Sequence, residues 1–306
     1  MSRTATMSNP VVGGGDLPVV PRRHVGRWIS AAIALFIIGF FVWTIVTADA
    51  MRWSVVGQYL FDSNVIEGVR NTIFMTILAT AIGVVIGTIV AVMRLSVNPV
   101  LNALANLYQW FFRGTPTLVQ LIFWFNLSSI IPRVHIPWLG INISTNDVMT
   151  PLLASLLGLG LNFGAYYSEI VRAGIVSVDE GQSDAAAAYG LSRFQTLRLI
   201  VLPQAMRVII PPTGNELIGM LKFTSLASVV SYGELLRSVS DIYNQNYQVI
   251  PLLVVASLWY LLMTTILSIG QYFIERRFAR GSSRSAPNGF IDRIVRRRER
   301  RKAVNA

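Results

Sequence analysis

Apolar residues in this chain come in six long runs separated by polar stretches. The runs cover residues 29–48, 72–93, 116–131, 149–172, 208–230 and 251–273. Most approach the ~20 residues an α-helix needs to cross a bilayer. The expected fold class is therefore all-α, a polytopic membrane protein with about six transmembrane helices. The third run is short. The fifth is interrupted by Pro211-Pro212 and holds Glu216 and Lys222, so these two depart most from a simple crossing. A stripe of Leu101, Leu104, Tyr108 and Phe111 precedes the third run at helical spacing. It predicts an amphipathic helix at the interface or against neighbouring spans. Gly114-Thr115-Pro116 then breaks the stripe, with Thr115 able to cap and Pro116 suited to a first helical turn.

The flanks set the orientation. Arg22, Arg23, His24 and Arg27 precede the first run, as a basic segment precedes a signal peptide. The run is long enough to span, however, and starts well inside the chain. It is read as a retained helix over 28–48, entered from the cytoplasm. Residues 1–27, with Gly13-Gly14-Gly15 and three prolines, read as a disordered cytoplasmic tail. Six spans return the C-terminus to the cytoplasm. Arg94, Arg113, Arg193, Arg198 and Arg207 then fall inside with both tails, whereas Arg52, Arg133 and Arg237 fall outside and Arg70 at a boundary. Lysine and arginine favour the cytoplasmic side, which supports this orientation. The outer stretches 132–148 and 231–249 read as surfaces for a soluble partner.

Composition agrees. The chain is 53% hydrophobic and 13% charged, where a soluble domain carries roughly 25% charged residues. Its net charge is +11, and from Glu275 onward eleven Lys/Arg face three Asp/Glu. The segment 278–306 is a basic cytoplasmic tail, in which Phe290, Ile291, Ile294 and Val295 could form one side of a helix for anionic lipid. No fold for nucleic acid accompanies the charge. The absence of cysteine removes disulfides, thiolate metal sites and cysteine nucleophiles. His24 and His135 stand apart without ligand-spaced partners. No catalytic residues and no metal ligands are assigned.

The polar loop over 173–206 predicts two short helices at a turn. Ser177-Val178-Asp179-Glu180 and Ser192-Arg193-Phe194-Gln195 both have capping-box spacing. Ala185 to Ala188 favour helix, and Gly190 stands where a helix ends in the left-handed conformation, with Leu191 making the contact after it. Phe194, Leu197 and Val201 share one face of the second helix, and Pro203 is expected to end it. By these residues alone, an amphipathic loop packing on the membrane face accounts equally well for the pattern.

The spacing Asp184-Ala185-Ala186, three residues, Gly190, nine residues, Ile200-Val201-Leu202-Pro203 resembles the cytoplasmic signature of the membrane subunits of ATP-binding-cassette importers. In that signature the first residue is usually glutamate; aspartate keeps the charge on a shorter arm. The resemblance narrows to the polar amino-acid uptake branch through Phe112-Arg113-Gly114-Thr115-Pro116 with Leu118-Val119-Gln120, Ala165-Tyr166 with Ser168 to Arg172, Gly181-Gln182, Leu202 to Ala205, and Gly214-Asn215-Glu216 through Lys222 to Leu226. Arg172-Ala173-Gly174-Ile175 replaces the usual Arg-Gly-Gly-Ile. The similarity covers about residues 64–277, leaving the first span and both tails as additions to a five-helix type I importer core.

The resemblance implies a second permease subunit, identical or paralogous, around a substrate path. It implies a cytoplasmic ATPase dimer receiving the coupling helix, formed around Asp184, Ala185, Ala186, Tyr189, Gly190, Leu191 and Pro203. It implies an extracytoplasmic solute-binding protein and an amino-acid substrate, in a bacterial inner membrane. ATP and Mg belong to the partner ATPase, since this chain has no Gly-x-x-x-x-Gly-Lys-Ser/Thr loop. Candidate path residues are Gln120, Asn162, Asn215, Glu216, Lys222 and Thr224, because polar groups within spans are costly. Arg113, Gly114, Pro116, Glu169 and Arg172 read as structural; Glu169 and Arg172, three apart, can pair. A secondary transporter or channel explains the spans but not the loop, and a membrane-embedded enzyme lacks a visible catalytic pair.

Overall fold

The computed structural model describes residues 25–136 and 141–279. The tail readings over 1–24 and 280–306 lie outside the described residues. Two compact units divide the chain, Met1–Met51 and Arg52–Ala306.

The described part of the first unit is the helix α1, Val25–Val46, followed by a 3-10 turn over Asp49–Met51. It begins at Val25, within the segment read as a disordered tail. From Gly26 onward it is exposed along its whole length. Its run of isoleucine, phenylalanine, alanine and leucine is free of charge after Arg27 and suits a lipid environment.

The second unit is built on α3, Ser63–Arg94, and α7, Pro151–Val176. Asp62 starts α3 by accepting the Asn64 N–H at 2.9 Å. Thr150 caps α7, with Pro151 in its first turn. The two helices run in the same direction and interlock through glycines. Gly83 and Gly87 of α3 meet Gly160 and Gly164 of α7; a Cβ on Gly87 would stand 2.6 Å from the Gly164 carbonyl oxygen. In lipid, dispersion at such close contacts replaces the hydrophobic drive for association.

Between them the chain climbs back through α4, Pro99–Gly114, and α5, Thr117–Phe125. The Tyr108 hydroxyl donates to the Leu161 carbonyl at 2.6 Å, and Leu121 packs close to Gly158. Thus α4 and α5 together follow α7, where the third apolar run was expected to be one helix. Arg113 accordingly sits midway along this pair rather than at the cytoplasmic end assigned to it, because the climb begins at Pro99. Thr115 does not cap α5: its hydroxyl donates to the Phe111 carbonyl at 2.8 Å. The stripe Leu101, Leu104 and Phe111 faces outward, and Ala105, Gln109 and Phe112 form the buried face.

A hairpin of β1, Arg133–Ile136, and β2, Ile141–Ser144, joins α5 to α7 through the short α6, Thr145–Val148. The all-α expectation missed these eight residues, whose alternation of apolar and polar positions is that of a strand.

Beyond α7 come α8, Glu180–Ala188, α9, Arg193–Thr196, and α10, Leu202–Phe223. Pro211 and Pro212 lie inside α10 without ending it. The helix changes instead at Thr224–Val230, which is 3-10, and stops at Ser231 with φ 61°. The helices α11, Leu235–Asn246, and α12, Val249–Ala279, complete the unit, with α2, Trp53–Tyr59, packed on α12. One core joins α3, α5, α7 and α10 around Met75, Leu121, Leu159 and Phe163. A second joins α2, α11, α12 and the start of α3 around Val65, Leu235, Leu252 and Val255. Among the described residues, α1, α3 and α12 are long and apolar enough to cross a membrane by composition.

Candidate functional site

The loop between α7 and α10 forms a stiff elbow. Asp179 starts α8 by accepting the Gly181 N–H at 2.9 Å. Ser177, expected in that role, is taken up by the end of α7; its hydroxyl donates to the Gly174 carbonyl at 2.7 Å. The other end is a double closure. The Gly190 N–H donates to Ala187 O at 2.9 Å and the Leu191 N–H to Ala186 O at 3.1 Å. This pair of bonds is the Schellman motif, and it needs a left-handed residue at its centre. Gly190 supplies it with φ 77°, and an added Cβ would meet nothing within 4 Å. The requirement there is conformational, not steric.

The Ser192–Gln195 capping box is complete in both directions. The second helix does not stop at Pro203. A π turn over Leu197–Val201 carries α9 into α10, with the Leu202 N–H bonded to Leu197 O. Pro203 follows in the first turn of α10, where proline is tolerated. Thr196 and Val201 are buried, whereas Phe194, expected on the same face as Val201, is 69% exposed. Tyr189 is 89% exposed, and Asp184 and Ala185 also face out. Within α8, Ala186 alone is turned into the elbow. The elbow therefore presents aromatic rings and small side chains on a rigid frame.

Above the elbow a polar cluster ties three helices together. Glu169 of α7 takes Arg172 at 2.6 Å and also pairs with Arg94 of α3. The Arg94 guanidinium donates to Gln109 Oε1 at 2.6 Å, and Gln109 Nε2 donates to the Ser168 hydroxyl at 2.5 Å. Sequence spacing shows only the Glu169–Arg172 pair. Arg94 and Gln109 arrive from other helices.

A cavity of about 240 Å³ opens between α5, α7 and α10. Its wall includes Thr117, Asn162, Tyr166, Glu216 and Phe223. Two path candidates, Asn162 and Glu216, thus share one chamber. Asn162 also ties the break between α4 and α5, donating to Phe112 O at 2.8 Å. Arg113 lies over the Tyr166 ring, 5.1 Å from its centre. Gln120 is buried behind the wall, where its amide donates to Phe112 O and to Thr115. Its Oε1 is without a hydrogen-bond donor. Asn215 points toward α12 and accepts from Gln271 at 3.1 Å. Lys222 is exposed, and the Thr224 hydroxyl is spent on Leu221 O at 2.7 Å. Gly114 and Pro116 form the α4–α5 corner.

Glu234 carries no signal that the sequence reading used. It is fully buried at the start of α11. It accepts the Leu236 and Arg237 N–H groups at 2.9 and 2.8 Å and the Tyr260 hydroxyl at 2.7 Å. Burial pushes its carboxyl up to about 7, against the pull of those three donors. Nearby, a cleft of about 550 Å³ is lined by Asp62, Glu67, Asn71 and Asp241.

The chain and its fold resemble known proteins. The pattern of the binding-protein-dependent transport system inner membrane component matches residues 83–280. The arginine transport system permease protein ArgU of Corynebacterium glutamicum is 44% identical over 87% of this chain and 84% of its own. The L-cystine transport system permease protein TcyB of Bacillus subtilis is 35% identical over 76% of this chain and 93% of its own. A crystal structure of an amino acid ABC transporter with histidines superposes with a TM-score of 0.60 at 33% identity, covering 70% of this chain and 94% of the other. The elbow, the glycine-locked helices and the mid-chain chamber thus sit on a shared frame, and the chain belongs to the family of binding-protein-dependent transport system inner membrane components.

Proposed function

We propose that this chain is the permease of an ATP-driven importer whose substrate is a polar amino acid with a cationic side chain. The carrying observation is the chamber with Glu216 in its wall, where Glu216 is the one carboxylate among the lining residues. A carboxylate in a largely apolar wall favours a ligand that brings a positive charge. The acidic cleft beside α11 would favour approach by the same kind of solute. The arginine permease among its relatives supports the choice.

The chain itself supplies no ATP chemistry in this reading. ATP and Mg act in two cytoplasmic ATPase subunits, which receive the elbow through Tyr189 and the turn at Gly190. A second permease subunit completes the path, and an extracytoplasmic binding protein delivers the solute. The protein spans a bacterial inner membrane six times, with both termini in the cytoplasm. Uptake of labelled arginine and glutamine by wild-type and Glu216→Gln complexes tests the substrate reading. Arginine uptake is expected to fall at least tenfold, with glutamine uptake changed little. Equal uptake of arginine by both would remove Glu216 from substrate recognition.

A further inference from the structure

Among the described residues, the β1–β2 hairpin is exposed on both faces. Its register pairs Arg133 with Ser144, Val134 with Ile143, and His135 with Asn142. Successive residues of a strand point to opposite faces. Val134 and Ile143 therefore share one face, and Arg133, His135, Asn142 and Ser144 fall on the other. Val134 is 42% exposed and Ile143 45% exposed, and His135 and Asn142 are exposed as well. A two-stranded hairpin alone in water is marginal in stability. Among the described residues, nothing covers the aliphatic face.

We infer that the hairpin lies on the outer surface of the bilayer, with the Val134–Ile143 face in the interfacial lipid and the Arg133–His135 face toward water and headgroups. Two observations and one argument favour lipid over a protein partner. The hairpin is rooted at the ends of two helices of the spanning core. It follows α5 closely, and the Thr145 N–H, at the start of the path into α7, donates to Pro132 O at 3.1 Å. This root holds it close to the level where those helices leave the membrane. The chain leading into the hairpin is itself exposed and apolar, with Ile122 and Phe123 on α5 and Ile130 and Ile131 just before β1. Finally, a delivering protein that comes and goes would leave the face bare for part of each cycle, whereas lipid covers it throughout. The stretch 132–148 was expected to face a soluble partner; its aliphatic face suits that partner less than its polar face does.

The chain contains no cysteine, so single cysteines can be introduced at 134, 135, 142 and 143 without a competing site in this subunit. Each full-length variant, labelled with a nitroxide and reconstituted in vesicles with retained uptake, is scored for collisions with oxygen, which enriches in lipid, and with a water-soluble nickel chelate. Positions 134 and 143 are expected to favour oxygen severalfold. Positions 135 and 142 should favour the chelate, and adding the binding protein should not change the pattern at 134 and 143. The inference is overturned if 134 and 143 meet the chelate freely until the binding protein is added, which would make the face a protein-docking surface. It is also overturned if they are shielded from both reagents without that protein, which would assign the face to another permease subunit.

Discussion

The Leu191 N–H closes back on the Ala186 carbonyl at 3.1 Å, so that the end of α8 and the start of the next turn hold each other. Ala186 is the buried residue of α8, and its neighbours Asp184 and Ala185 in the signature face out. A β-branched residue at Gly190 cannot hold φ 77° without strain of roughly 1–3 kcal/mol. Gly190→Val is expected to abolish uptake and substrate-stimulated ATP hydrolysis while the subunit still inserts. Asp184→Glu, at an exposed position, should leave both within twofold. Paired measurements of ATPase activity and uptake in reconstituted complexes check this; wild-type coupling in Gly190→Val would exclude the elbow as the contact.

Glu169 links α3 to α7 through Arg94 and to its own helix through Arg172. Glu169→Gln leaves two guanidinium groups without their charge partner. Breaking such a partly buried cluster costs on the order of 1–3 kcal/mol. The variant should melt several degrees lower in detergent, and Arg94→Lys, which keeps the charge but replaces the planar guanidinium whose Nη1 serves both Glu169 and Gln109, should fall in between. Thermal unfolding by intrinsic fluorescence reads the order of the three.

Gly87 touches the backbone of Gly164. Gly87→Leu would force α3 and α7 apart over the whole glycine-lined stretch, and yield of correctly assembled protein should collapse. Gly57, with nothing within 4 Å of an added Cβ, provides the control, and Gly57→Ala should express at wild-type level. Size-exclusion profiles of the two variants separate a packing role from general intolerance to substitution.

Burial raises the Glu234 carboxyl to about 7, so the folded state holds its proton more tightly than the unfolded chain does. The corresponding stability is fully present below the unfolded value near 4.5 and is lost as pH rises through about 7. Thermal stability of the wild type should therefore decline across this window and flatten above it. In Glu234→Gln, the decline should shrink, because the amide does not titrate. An unchanged slope in the variant would assign the pH dependence to other groups.

Much of this was legible in the sequence because membrane helices declare themselves by length and apolarity. The turn at Gly190 and the Ser192–Gln195 box depend on residues adjacent in the chain, and local rules reach them, whereas α3 begins at Ser63, nine residues before its apolar run. The errors arose where a local signal met a competing demand. Ser177 had the spacing of a cap, but α7 ran on and claimed it. Pro203 and Pro211-Pro212 looked like stops, yet a π turn and a first-turn position absorb the former, and α10 continues through the latter. The contact of Gly83 and Gly87 with Gly160 and Gly164 is a tertiary fact that no local rule reaches. The same holds for Arg94 meeting Glu169, 75 positions away. Of the path candidates, only Asn162 and Glu216 line the chamber, because side-chain direction along α10 depends on its packing against α7 and α12.

The π turn has a mechanical consequence. By passing α9 into α10 without a break, it joins the second arm of the elbow to the helix bearing Glu216 in one continuous helical stretch. From Leu197 to Glu216, at about 1.5 Å per residue, the lever arm is roughly 30 Å. A tilt of about 10° imposed at Phe194 would sweep the Glu216 end through roughly 5 Å, comparable to the span of an amino-acid side chain. A push on the elbow would need no chain of relayed contacts to be felt at the chamber, since the stroke and the carboxylate travel on the same piece of backbone.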